Sequence, residues 1–197
     1  MTTVVLTPAV GLEYTTGAAV KAYLDISSSG DDVLLGQLVS RACAMIDRFC
    51  RRRFIAAAMT RLFDAPSGDT LWLDEDLLSV TAITNGDGSA VGSGQYVLLP
   101  ANGLPKCAIR LRKSTGATWI GEEQAIHVQG TWGYSPAPPD DVVQAAIRLT
   151  AWLYKQRDAP FGTTARPDVG IVEVPAAIPV DVTAMLLRYQ KVRVAAI

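Results

Sequence analysis

The sequence is poor in the residues that carry chemistry. Its 197 residues include one histidine and three cysteines. The histidine, His127, has no acid beside it to orient the ring and no neighbouring nucleophile, so no general base of the usual kind is visible. It stands in the alternating run Ala125-Ile126-His127-Val128-Gln129, opposite Ile126 and Val128, and is expected at the surface or an interface. Cys43 and Cys50 are seven residues apart on a helical pattern, which separates their Cα atoms by about 10.5 Å. A disulfide needs roughly 4.4–6.8 Å, so they cannot pair with each other. With Cys107 they are expected to be buried or half-buried thiols. No CxxC or Cys/His cluster suggests zinc, and no GxSxG, Walker A or Rossmann glycine pattern occurs. No catalytic, cofactor-binding or metal-ligating residue is assigned, and the reading is non-enzymatic.

An excess of one charge is also missing: 18 Lys+Arg face 19 Asp+Glu. Nothing global therefore calls for tight binding to nucleic acid or a membrane surface. No apolar run approaches the ~20 residues of a membrane span. The start, MTTVVLTPAVG, lacks a basic region followed by a long apolar stretch, so the chain is expected to stay in the cytoplasm of the cell that makes it.

What the chain does have is hydrophobic residues, 49% of the total, enough for one sizeable core. They are organised around residues 31–54, where Leu34, Leu35, Leu38, Ala42, Met45, Ile46 and Phe49 recur at helical spacing. Asp31 stands at the N-cap position, and Arg48, Arg51, Arg52 and Arg53 crowd the carbonyl end. Before this helix, Thr15 or Thr16 can cap a shorter one ending near Leu24, with Ala19, Val20, Tyr23 and Leu24 as its apolar side.

After Phe54 the period changes to that of strands. Residues 60–64, 70–74, 78–84, 95–99, 108–113 and 125–131 read as six short strands separated by Gly, Asn, Asp, Ser and Pro clusters. Connections this short imply antiparallel pairing. Asp140 then caps a second strong helix over 140–157, with Val143, Ala146, Ile147, Thr150, Leu153 and Tyr154 following the repeat. Residues 158–178 carry three prolines and little period, although Ile171, Val172 and Val174 could form a short strand. Pro179 can open a last helix, with Val182, Met185, Leu186 and Tyr189 as its stripe. The expected class is α+β: a helical core of about four helices with an inserted antiparallel β subdomain. The expected divisions are 1–57, 58–134 and 135–197.

Two polar clusters suggest sites and fail as such. Asn85-Gly86-Asp87-Gly88 has calcium-loop composition, but the terminal ligand positions would be Ile83 and Gly94, which supply no carboxylate. Asp74-Glu75-Asp76 is expected to be a solvated turn. The arginine run at 48–53 is read first as a helix-end complement, then as a candidate subunit contact (Arg48, Arg51, Arg52, Arg53). It is read last as a nucleic-acid site, because no aromatic residues interleave with it.

The order of motifs carries a resemblance. Val20-Lys21-Ala22-Tyr23-Leu24 precedes Asp31-Asp32 and a helix ending Ile46-Asp47-Arg48-Phe49-Cys50-Arg51-Arg52-Arg53-Phe54. Leu78-Ser79-Val80-Thr81-Ala82-Ile83, Gln95-Tyr96-Val97-Leu98 and Gly130-Thr131-Trp132-Gly133-Tyr134 follow. Then come Pro139-Asp140, Gln144-Ala145-Ala146, Leu153-Tyr154, Ile178-Pro179-Val180-Asp181-Val182 and Leu186-Leu187-Arg188-Tyr189. In this order the chain resembles the head–tail connector (adaptor) proteins of long-tailed bacteriophages and related gene-transfer particles. The resemblance implies a structural virion component, made in the host cytoplasm and located at the head–tail junction. It implies a ring of about twelve copies held by heterologous contacts. It further implies a portal protein on one side, a stopper or tail-completion protein on the other, and DNA passing through the lumen unread. Within that frame the candidate portal contact is Met185, Leu186, Tyr189, Lys191, Val192, Arg193 and Val194. Beyond Tyr189, apolar residues alternate with two cations, a pattern suited to an added strand. A DNA-binding module using Arg48–Arg53, or an enzyme with an unrecognised site, are the alternatives.

Overall fold

A computed structural model describes residues 13–157, 164–166, 170–172 and 178–191. The fold is α+β, and the chain divides into two compact units, one of residues 1–50 and 140–197, the other of 51–139.

The first unit is helical. Helix α1 (Gly17–Leu24) starts where Thr16 Oγ1 accepts the Ala19 N–H at 3.2 Å. It stops where Asp25 turns left-handed, φ 57°, with its N–H on the Lys21 carbonyl. Val20 is its buried residue; Tyr23, expected on the apolar side, is 50% exposed. Helix α2 (Asp32–Cys50) begins with the Leu35 N–H on the Asp31 carbonyl at 2.8 Å. It ends four residues earlier than its pattern suggested. Arg51 takes φ 54°, which breaks the helical ladder before Arg52, Arg53 and Phe54.

Helix α3 (Asp140–Gln156) packs on α1, α2 and α4 (Val180–Leu186). Tyr154, near its end, reaches Asp31 at the start of α2, so the two long helices run antiparallel. The buried residues of α3 are Val142, Ala145, Ala146, Leu149, Thr150 and Ala151. The expected stripe was rotated from this: Ile147 and Leu153 are only half-buried. Three helices press on α3, and its small alanines let them come close, so no single stripe defines its inner side. Thr150 satisfies its hydroxyl on the Ala146 carbonyl at 2.7 Å.

Pro179 is the N-cap of α4, and a single 3-10 turn, Leu187–Tyr189, follows. The Lys191 N–H then bonds the Cys50 carbonyl at 2.9 Å, and Gln190 Nε2 bonds the Phe49 carbonyl at 3.2 Å. These contacts occupy carbonyls that the end of α2 would otherwise leave without helical partners. Strands β6 (Thr164–Arg166) and β7 (Gly170–Val172) pair antiparallel, and β7 includes Ile171 and Val172; Val174 lies outside the described residues.

The second unit is a five-stranded antiparallel sheet of β1 (Ala57–Phe63), β2 (Thr70–Thr84), β3 (Tyr96–Leu99), β4 (Lys106–Leu111) and β5 (Ile126–Trp132). The order is β1-β5-β2-β4-β3. The expected strands 70–74 and 78–84 are one strand. Its first part pairs with β4 and its second with β5, across register shifts between Trp72 and Leu77 and again before Ala82. Such bulges bend a strand and let it serve two neighbours. Gly130 of β5 sits at the closest approach. A β-carbon there would lie 2.2 Å from the Ser79 carbonyl oxygen. One face of the sheet buries Leu71, Leu77, Ile83, Ile109, Ile126, Val128 and Trp132 under a covering loop that contributes Trp119. His127 is exposed on the other face, as its alternation suggested.

Candidate interaction surfaces

The arginine run does not form one cationic face. Arg52 reaches Asp76 at 2.7 Å, and the carboxylate is almost wholly buried. Its guanidinium also lies 5.2 Å from the centre of the Tyr134 ring. Arg53 stands 3.9 Å from Glu75. Arg48 and Arg51 remain exposed. Of the four residues proposed for a subunit contact, Arg52 is therefore committed inside its own unit, while Arg53 stays exposed. The acidic cluster explains why: Asp74-Glu75-Asp76 is not a turn but the bulged middle of β2. There Asp74 meets Arg61 at 2.5 Å and Glu75 meets Arg61 at 3.1 Å. Arg61 also lies over the Trp132 ring, 5.5 Å from its centre.

The Asn85 turn is structural too. The buried Asn85 side chain donates to the Thr118 carbonyl at 2.9 Å and accepts the Ile120 N–H at 2.8 Å. Asp87 accepts both the N–H and the hydroxyl of Ser89, which holds its carboxyl below the usual range. Asn85 ties its turn to the loop at Thr118–Ile120, and Asp87 closes the turn itself.

At the C-terminal end, Leu186 and Tyr189 are buried in the helical unit, at 0% and 4% exposure, and Met185 and Lys191 are half-buried. This corrects the expectation that Leu186 and Tyr189 form an outward contact: burial in the chain's own core occupies both. The Tyr189 hydroxyl donates to Asp141 at 3.3 Å, and burial raises its pKa. Val192, Arg193 and Val194 lie outside the described residues. The side that remains open carries Leu187, 56% exposed, and Arg188, which pairs with Asp141 at 3.2 Å.

Two features of the helical unit had no sequence signal. Asp31, read as a cap, turns its carboxylate to the Tyr154 hydroxyl at 2.5 Å and to Arg157 at 3.0 Å. Those bonds hold its carboxyl below the ordinary value, and the bond to Asp31 raises the Tyr154 phenol. A cleft between α1, α3 and the start of α4 is walled by Tyr23, Trp152, Pro179 and Val182 and edged by Arg148, Lys155 and Asp181. Arg148 and Asp181 pair across its rim at 2.7 Å. Helical periodicity could suggest that Trp152 lies off the main stripe. It could not bring Tyr23 and Pro179 to the same place.

Three comparisons bear on the chain. The family model described as head completion protein matches residues 13–192. None of the curated proteins matches it. Among solved structures, the chain is similar to one from the neck of an empty gene transfer agent (GTA) particle computed with C6 symmetry. The identity is 20%, 96% of each chain is covered and the TM-score is 0.62. It is also similar to one from the neck of a native GTA particle computed with C12 symmetry, at 21% identity. That match covers 91% of this chain and 93% of the other, with a TM-score of 0.58. A third, from the virion of a native GTA particle, is 20% identical, with 91% of each chain covered and a TM-score of 0.59. At these identities the structures share the fold.

Proposed function

We propose, because the chain belongs to the head completion protein family, that this structural virion protein is the adaptor subunit of a head–tail connector. The observation that carries the reading is the extent of the family match, residues 13–192, which takes in both units. About twelve copies form a ring joined by heterologous contacts, in which one surface meets a different surface of the next subunit. The ring sits between the portal of a filled head and a stopper or tail-completion protein, and DNA crosses its lumen without being read. The two neck structures computed with C6 and C12 symmetry support a rotationally repeated arrangement. The role requires shape and contact, not catalysis.

Within this reading the portal contact lies at the C-terminal end, on the open side of the last turn at Leu187 and in Lys191, Val192, Arg193 and Val194. Arg48 and Arg51 belong to a subunit contact. Particles made without this chain should hold packaged DNA yet lack tails, and purified chain added back should restore tails. Electron microscopy should then show added density directly below the portal. Untailed heads that gain neither density nor tails on addition would refute the assignment. Removing residues 192–197 keeps the Lys191 bond to Cys50 and should leave a folded chain that no longer joins heads. Normal joining by that truncated chain would place the portal contact elsewhere.

A further inference from the structure

The outer face of the sheet, away from the core, is not uniform. Strand register puts Trp72 opposite Ala108 and Ala108 opposite Leu99, and puts Arg110 opposite both Thr70 and Val97. Paired residues share a face, and the alternate residues Leu71, Ile109 and Leu98 pack in the core, so this group points outward. Trp72 is 69% exposed there, although Ala108 beneath it is fully covered. Arg110, diagonal to Trp72, and Arg112, two residues further along β4, are exposed on the same face, and the ladder continues through the Arg112 N–H to the Gln95 carbonyl. Neither arginine has an ion-pair partner among the described residues. A large aromatic residue left in water beside unpaired guanidinium groups has the composition of a protein-binding hot spot.

The same unit carries a complementary surface in the loop before β5. Ile120 is 44% exposed, and Glu122 and Glu123 are exposed with no ion-pair partner among the described residues. This loop is pinned. The Ile120 carbonyl accepts the Gly86 N–H at 2.8 Å, the Glu122 carbonyl accepts the Ala65 N–H at 3.1 Å, and the Gln124 N–H donates to Asp64 at 2.8 Å. A pinned tip loses little conformational freedom on docking. It offers one apolar residue and two carboxylates, the chemistry that a tryptophan with two arginines in line to one side of it accepts. Duplex DNA offers phosphates but no apolar anchor for Trp72.

We infer that these surfaces meet between copies of this chain: Trp72, Arg110 and Arg112 of one copy receive Ile120, Glu122 and Glu123 of the next. The contact joins two different surfaces, so it propagates around a ring and leaves no self-paired dimer. It rests on the ring reading above and adds the residues that build it.

Charge reversal in the full-length chain tests it, read as chain incorporated into the necks of particles from a producer lacking its own copy. Arg110→Glu with Arg112→Glu, and separately Glu122→Lys with Glu123→Lys, should each lower incorporation by about tenfold or more, as like charges face each other. The chain carrying all four changes should recover to within about threefold of the unaltered chain, because the attraction is reversed on both sides. Trp72→Ala, a surface change checked for folding by circular dichroism, should lower incorporation as well. Carbodiimide treatment should join Lys113, exposed next to Arg112, of one copy to Glu122 or Glu123 of another, resolved by mixing isotopically labelled and unlabelled chains. If both double variants incorporate normally while rings form, this contact is wrong and the ring reading stands. If the fourfold variant fails like the doubles, the pairing is wrong. If the unaltered chain forms no ring in necks, both readings fall. If the arginine changes alter only salt-dependent retention on duplex DNA, the face belongs to nucleic acid.

Discussion

The helical unit and the sheet unit hold their acids in different ways. In the helical unit, tyrosine hydroxyls fasten aspartates near helix ends, Tyr14 on Asp47, Tyr154 on Asp31 and Tyr189 on Asp141, and Arg157 and Arg188 share the last two carboxylates. In the sheet unit, arginines do so: Arg52 on Asp76, and Arg61 on Asp74 and Glu75. A phenol is a neutral donor with a pKa within experimental reach, whereas a guanidinium stays charged at any working pH. The helical unit therefore carries contacts that titrate at both ends of the pH scale. The sheet unit's arginine contacts involve no phenol.

The largest effect expected from disturbing this contrast lies beneath both clasps, in the cores. Trp132→Ala in the sheet unit should cost about 3–5 kcal/mol, because the ring is 1% exposed, stacks on Phe63 and donates to the Met59 carbonyl. Leu186→Ala in the helical unit should cost about 2–5 kcal/mol. Denaturant unfolding checks both. A loss under 0.5 kcal/mol at Leu186, by an order-of-magnitude standard of about the usual surface effect, would return that residue to the exterior.

Next comes the arginine clasp. Arg52→Met removes the guanidinium from beside the buried Asp76 carboxylate and should cost about 2–3 kcal/mol, below the ~3–5 of a fully buried pair because Arg52 is partly exposed. Asp76→Asn combined with Arg52→Met should be milder than Arg52→Met alone. A more damaging double variant would show that the pair is not the unit that matters.

The tyrosine clasp should give a smaller, pH-shaped effect. Asp31 has a depressed folded pKa, so its contribution is full above the ordinary 3.8 and is lost as pH falls through the folded value. Tyr154 has a raised folded pKa, so its contribution is full below the ordinary 10.0 and is lost as pH rises through the folded value. Thermal melts of Tyr154→Phe and the unaltered chain should differ most between these limits and converge outside them. A constant difference from pH 3 to pH 11, spanning roughly the acid and phenol ranges, would mean that packing accounts for it and not the hydrogen bond.

The smallest effect separates two thiols. Burial pushes Cys43 up to about 11, while Cys107 on β4 is half-exposed. At pH 8 a thiol reagent should label Cys107 first, with Cys43 slower by about tenfold or more, since the thiolate is the reacting species. Mass spectrometry of a time course decides it, and equal rates would show that the helical unit opens on that timescale.

Helix positions were legible because capping and 3.6-residue spacing are local. Thr16, Pro179 and the start of α3 follow from a few neighbouring residues. The strand alternation that exposes His127 is local as well. The burial of α3 was misjudged because three partners define its inner side, and no window of its own sequence contains them. The arginine run was read as a block because Arg51, Arg52 and Arg53 are consecutive. The left-handed Arg51 and the bulge at Asp76 redirect them one by one.

By itself the sequence determined the class of the fold, the four α-helices among the described residues, the antiparallel pairing and, through motif order, the family. All of these rest on hydrogen bonds and periodicities spanning a few residues, or on the order of segments along the chain. Only the tertiary structure decided that two apparent strands are one, that Leu186 and Tyr189 face inward, and that the arginines and acids meet. It also decided that Trp72 stands in the open. Pairs such as Arg52 and Asp76, or Cys50 and Lys191, are distant along the chain, and only the packing of whole elements brings them within hydrogen-bonding distance.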